Sequence, residues 1–299
     1  MSALSRQQLA LLLFVTLIWG INWPVLKVGV QGFPPLSFRA ISLLLALPVL
    51  WITLRAKRLP LTIGRTHWRQ VLALGVFNLV LWNAPMILAM PLLSSGRAAI
   101  LGYTMPIFSA LLGAALYRDR LSARGWLGVV AAALGVLLLL WNELGSMSGR
   151  PLGVALMLLA AVCWAYGTQR LRRTRLPIAT LTLAFWMVLE ASVVLGVLGV
   201  LLEHAQWRTP STGALWATAF NAVLVLSLGQ AAWFSLARSL PPVASTLSVM
   251  MIPVVGVFTG VLWLGETVRW QDWSAMLLMS LAIASVLWPA RAARVAPSS

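Results

Sequence analysis

Polar residues do not recur with a helical or strand period along most of this chain. Apolar residues instead run for about twenty positions at a time, and short polar joints separate the runs. A helix at a water–protein boundary keeps a polar face. A run without one, if it is about 20 residues long, can cross a bilayer. Ten such runs can be marked: residues 9–30, 36–54, 69–90, 95–116, 124–142, 151–170, 178–202, 213–236, 242–263 and 271–289. No joint could hold an independent soluble domain. The first run, LALLLFVTLIWGINWPVLKVGV, is too long for a signal peptide. It carries Trp19, Asn22 and Trp23 and has no clear small-residue cleavage site, so it reads as the first span.

Composition agrees with the pattern. Of 299 residues, 61% are hydrophobic and 9% charged, and mean hydropathy is +0.91. A soluble domain carries about 25% charged residues. The expected class is an all-α membrane protein with ten transmembrane helices. One cysteine, Cys163, excludes a disulfide within the chain and argues against a Cys-ligated metal site. Net charge is +16. On a soluble protein that would point to nucleic acid, but here the basic residues sit in the joints. The expected partners are a lipid bilayer and a small-molecule substrate, with no nucleic acid.

The joints also set an orientation. One side holds Arg6, Arg55, Lys57, Arg58, Arg65, Arg69, Arg118, Arg120, Arg124, Arg170, Arg172, Arg173, Arg175, Arg238, Arg291 and Arg294. The other holds Lys27, Arg39, Arg97, Arg150, Arg208 and Arg269. The positive-inside rule puts the richer side, with both termini, in the cytoplasm. A bacterial inner-membrane location is expected. Trp51, Trp68, Trp126, Trp141, Trp207, Trp216, Trp263, Trp270, Trp273 and Trp288 fall near span ends, as in an interfacial belt. Trp19, Trp82 and Trp164 lie deeper.

The chain repeats itself. MPIFSALLGAALYRDRLSARGWLG, from Met105, aligns without a gap on IPVVGVFTGVLWLGETVRWQDWSA, from Ile252. Pro106 meets Pro253, Gly113 meets Gly260, Asp119 meets Glu266 and Trp126 meets Trp273; upstream, Asn83 meets Gln230. Trp19 meets Trp164, and Lys27 meets Arg172, at a slightly shorter offset. Two five-span units follow, residues 1–147 and 148–299. Five is odd, so the second unit is inverted, as in secondary transporters with a midplane site.

Polar side chains within spans turn inward or towards helix partners. Near mid-span lie Asn22, Asn78, Trp82, Asn83, Tyr103, Tyr166, Gln169, Asn221, Ser227, Gln230 and Ser248. Asn78 and Trp82 are spaced to share a helix face, as are Trp19 and Asn22. Each amide has two readings, a bond across helices or a substrate contact. Pro24, Pro85, Pro106 and Pro253 remove helix hydrogen bonds; Pro24, Pro106 and Pro253 are candidate hinges. Lys27 either snorkels to the interface, holds a substrate carboxylate or closes an outer gate. Glu190 is the acid in mid-span, where charge is costly, and reads as structural. His67 and His204 lie in joints. No phosphate-binding loop, H-E-x-x-H or Ser/His/Asp arrangement is present, so an enzyme or ATP-driven pump is not expected.

With WGINWPVLK in span one, PPLSFRA entering span two, the Pro106/Pro253 helices and LGETV after span nine, the chain resembles the drug/metabolite transporter superfamily, and its EamA family in particular. YRDRL, where Arg118-Asp119 replaces Gly-Glu, departs from that pattern. The resemblance implies ten spans in two repeats and a central cavity between spans 1, 3, 4, 6, 8 and 9. That cavity would be lined by Trp19, Asn22, Asn78, Trp82, Asn83, Tyr103, Trp164, Tyr166, Gln230 and Ser248. The aromatic content of spans one, three, four and six also resembles the aromatic amino acid exporters of the family. The expected function is alternating-access export of a small amphipathic metabolite, an aromatic amino acid first, with no cofactor. The alternatives are a broad exporter of drugs or cationic compounds and a non-transporting sensor or lipid-handling protein.

Overall fold

The structure is a computed structural model that describes residues 5–145, 151–230, 232 and 242–287, with side chains at all of these except 140, 142–145, 242–249 and 286–287. Helix α1 (Arg6–Gly32) opens with a capping box: Ser5 Oγ accepts from Gln8 N while Gln8 Oε1 accepts from Ser5 N. It carries Pro24 in its interior. Pro34 and Pro35 then start α2 (Pro35–Ala56), where a fixed φ and a missing N–H cost a helix nothing.

The third passage is composite. Helix α3 (Trp68–Gly75) leads into a π-helical segment, Val76–Val80, and then into α4 (Leu81–Ala89). The fourth is broken. Helices α5 (Ser95–Gly102) and α6 (Met105–Tyr117) meet at Tyr103 and Thr104. The expected continuous run over 95–116 is therefore two helices, and Pro106 begins α6 rather than kinking a helix from inside. Helices α7 (Ala123–Gly145), α8 (Pro151–Arg173), α9 (Thr180–Glu203) and α10 (Thr212–Ala219) follow. Helix α10 continues as a second π-helical segment, Phe220–Gly229. Helix α11 (Pro242–Leu264) runs through Pro253, and α12 is Trp270–Leu287. No strand occurs among the described residues.

Seven helical passages are long and apolar enough to cross a membrane, and Ala123–Leu139 and Met250–Leu264 are shorter apolar stretches. The distribution of side chains is that of a protein in lipid. Leu262 is 83% exposed, Trp141 76% and Trp216 73%, whereas Asn221 is 0%, Asn83 1% and Arg39 4% exposed. In water such an apolar exterior would be unsustainable. In hydrocarbon it is the polar groups that must find protein partners.

Packing follows from this. Helix α2 lies along α9, α7 along α12, and α1 along both α11 and α10. Helix α8 packs on α4 and α6. The bundle has two ends. One, the Lys27 end, gathers the α1–α2 joint, the α4–α5 joint and the starts of α10 and α12. The other, the Arg173 end, gathers the α2–α3 joint, the end of α6 and the start of α9.

Candidate functional site

Two asparagines and one arginine meet in the interior. Arg39 is a turn into α2, because Pro35 starts that helix early. Its Nε donates to Asn83 Oδ1 at 2.6 Å and its Nη1 to Asn221 Oδ1 at 2.8 Å. Each amide is itself oriented by its own helix: Asn83 Nδ2 donates to Leu79 O at 2.7 Å and Asn221 Nδ2 to Ala217 O at 3.0 Å. Arg39 thus ties α2 to α4 and to the π-helical segment after α10. At about 1.5 Å per residue, Asn83, Asn221 and Asn22 lie roughly 9–15 Å in from the Lys27 end of their helices. Asn22 Oδ1 is buried without a hydrogen bond to any described residue.

An aromatic group lies on the helices around it. Trp23 meets Tyr103 edge-on, with ring centroids 6.3 Å apart at 66°. Trp23 and Trp82 approach Gly102, the last residue of α5. A Cβ there would sit 2.7 Å from Trp23 Cη2 and 3.6 Å from Trp82 Cη2. Only hydrogen fits, so glycine brings the α5–α6 break against two indoles. Trp23 and Asn22 are adjacent on α1, and Trp82 and Asn83 adjacent on α4. Ring and amide therefore alternate at the same depth.

The remaining predicted residues divide. Asn78 is held by its own helix. Its Nδ2 donates to Leu74 O at 2.9 Å, and Gly167 of α8 packs directly on it. Trp19 borders Gly229. Tyr166 pairs edge-on with Phe77 at 4.7 Å and takes a hydrogen bond from Arg170 at 3.3 Å. Trp164 is half-buried with no ring pair among the described residues, and Gln230 is half-buried. The side chain of Ser248 lies outside the described residues. Gln169 sits at the Arg173 end, where its Nε2 donates to Ser109 Oγ at 3.0 Å. Glu190 lies against Gly75, its Oε2 buried without a hydrogen bond among the described residues.

Lys27 does not extend to solvent. Its Nζ donates to the carbonyls of Met90 at 2.7 Å, Leu93 at 2.6 Å and Pro91 at 3.3 Å, covering the frayed end of α4. Three acids work beside it. Glu203 accepts from Leu36 N, Ser37 N and Ser37 Oγ at 2.8–2.9 Å, capping α2. Glu266 accepts from Ser95 N, Ser95 Oγ and Gly96 N, capping α5. Asp272 pairs with Arg97 at 2.6 Å. At the other end, Arg173 reaches Asp119 at 2.6 Å.

Sequence reading did not single out Arg39 or Trp23, both of which the fold buries. Arg39 was counted among the basic residues of a joint; the Pro-Pro helix start was the signal that it lies inside. Trp23 was overlooked beside Asn22, although the two share one depth.

The EamA-like transporter family matches the chain twice, over residues 7–141 and 151–288. The uncharacterized inner membrane transporter YedA of Escherichia coli (strain K12) is 29% identical over 92% of this chain and 90% of its own length. A probable amino-acid metabolite efflux pump of Salmonella typhimurium is 27% identical over 92% of this chain and 93% of its own. A protein of known crystal structure shares the fold at TM-score 0.65 and 18% identity, over 94% of this chain and 98% of that one. The chain belongs to the EamA-like transporter family, a family of membrane transporters and not of enzymes.

Proposed function

We propose that this protein is a ten-span secondary carrier that works by alternating access and exports a small amphipathic metabolite, an aromatic amino acid first. The observation that carries this reading is a pair of groups on neighbouring helices: Trp23 and Trp82 at Gly102 with Tyr103 against Trp23, and the buried Arg39 held by Asn83 and Asn221. Rings of substrate and protein would stack there, at about 0.5–1.5 kcal/mol per pair beyond burial, while amides hold polar groups. The Salmonella relative, by its name, handles amino-acid metabolites.

Two inverted units, 1–147 and 148–299, provide the motion. Support comes from packing in pairs: α1 on α11 is matched by α6 on α8, and α4 on α8 is matched by α1 on α10. The two π-helical segments also fall in matching passages. With both termini in the cytoplasm of a bacterial inner membrane, as the charge count predicts, the Lys27 end faces outward. Lys27 then acts as part of an outer gate. Pro24 and Pro253 lie inside α1 and α11, where each frees a carbonyl that neighbouring helices or cavity water would meet. Pro106 stands at the α5–α6 break.

The test is uptake of labelled phenylalanine and tryptophan into proteoliposomes, with and without a pH gradient, beside a Trp82→Ala/Tyr103→Ala variant. Flux that falls at least about tenfold in the variant, the loss of one to two ring contacts, supports the reading. Equal flux in both would remove the aromatic centre from the site.

A further inference from the structure

Arg39 is a cation in the interior of a membrane protein with no counter-charge among the described residues. Its side chain is 96% buried by the 4% exposure it keeps. A guanidinium does not give up its proton in a protein, so the charge stays. Two of its five N–H donors are engaged, one by Asn83 and one by Asn221. Nη2 makes no hydrogen bond with any described residue.

The described acids are all accounted for elsewhere. Glu203 faces Leu36 and Ser37, on the turn before Arg39, with both oxygens taken. Glu266 holds Ser95 and Gly96, Asp272 holds Arg97, and Asp119 holds Arg173. Glu190 lies against Gly75. Amide oxygens orient a guanidinium but do not neutralise it. A tie between helices needs no charge, since a glutamine could bridge Asn83 and Asn221 without burying one. A planar fork pre-set by two amides, with donors left over, suits a carboxylate, which it can take through two parallel hydrogen bonds.

We propose that Arg39 is the carboxylate-binding group of the transport site, so that the substrate is a small aromatic or amphipathic molecule carrying a carboxylate. This rests on reading the protein as a carrier with its site at the aromatic–amide centre. It does not require the substrate to carry an amine. Asn22 Oδ1, buried and unpartnered among the described residues, would accept from an amine where one is present.

The test measures binding to the full-length purified protein with three probes: 3-phenylpropionate, phenylalanine and phenethylamine. The key variant is Asn221→Asp, which gives Arg39 an internal counter-ion in place of an amide. We expect both carboxylates to bind and phenethylamine to bind at least about tenfold more weakly, the worth of one charge-assisted hydrogen-bonded pair. In Asn221→Asp, carboxylate binding should fall by roughly ten- to hundredfold while the thermal midpoint holds or rises. Arg39→Lys, which keeps the charge but loses the fork, should weaken carboxylates more than phenethylamine. Binding of phenylpropionate without phenylalanine would sustain the carboxylate site and remove the amino acid reading. Equal binding of all three probes, unchanged in Asn221→Asp, would make Arg39 a structural tie and overturn the proposal. So would binding of phenethylamine alone, or of none of the three.

Discussion

Glu266 and Asp119 occupy matching positions in the two halves of the chain, and their local backbones match closely. Gly265 has φ +64° and Arg118 φ +58°. Glu266 N donates to Gly260 O at 3.3 Å and Asp119 N to Gly113 O at 3.1 Å. In both, a left-handed residue ends the helix and the acid folds back over a glycine. What differs is the partner. Glu266 closes on the amino end of α5 through three donors at the Lys27 end. Asp119, with its side chain 54% exposed, meets Arg173 through one ion pair. A repeated turn therefore serves a firm lock at one end and a weak one at the other. Exposed ion pairs contribute about 0–1 kcal/mol, whereas carboxylate bonds to buried N–H groups contribute about 1.5–3 each before their coupling is counted.

That contrast can be broken from its strong side first. Glu266→Ala should leave Ser95 N and Gly96 N unpaired and cost about 2–3 kcal/mol. A melt of the purified protein would report it, and cysteine labelling near Ser95 should rise as the Lys27 end loosens. No change in either would mean that Glu266 does not hold this end. Next come the paired glycines. A Cβ at Gly260 would lie 2.5 Å from Ser95 Oγ and 2.6 Å from Glu266 Oε2. At Gly113 the nearest atoms are Asp119 Oδ2 at 2.8 Å, on a side chain 54% exposed and held by one ion pair, and Gln169 Nε2 at 3.1 Å. Gly260→Ala should therefore cost about 1–3 kcal/mol and Gly113→Ala clearly less; equal melts would contradict the asymmetry. The smallest effects lie at the weak lock. Asp119→Asn should change stability by under about 1 kcal/mol. Arg118→Gly should gain about 0.5 kcal/mol, as relief of a left-handed side chain outweighs the freedom glycine adds to the unfolded chain.

Much of the fold was readable because solvent writes itself along the chain. The runs at 36–54 and 178–202 correspond to α2 and α9 within a few residues, since a span must be apolar on every face. The match between Met105 and Ile252 pairs Asp119 with Glu266; that both acids sit in the same turn, despite Arg118 standing where the other half has glycine, came from the structure. Failures had local causes. Arg39 was read as part of a joint, and the Pro34-Pro35 helix start carries it a turn inside. Pro106 read as a kink, but the α5–α6 break at Tyr103 comes before it.

The apolar runs, their length and the doubled pattern determined that this is a helical membrane protein of the EamA-like family. Hydrocarbon imposes those features one residue at a time, with no need of partners. The tertiary structure alone decided that Arg39 is held by Asn83 and Asn221, that Lys27 covers the end of α4, and that Glu203 and Glu266 cap helices belonging to the other half. These contacts join residues far apart in the chain, and a polar side chain's role is set by which partner the fold brings within hydrogen-bond reach.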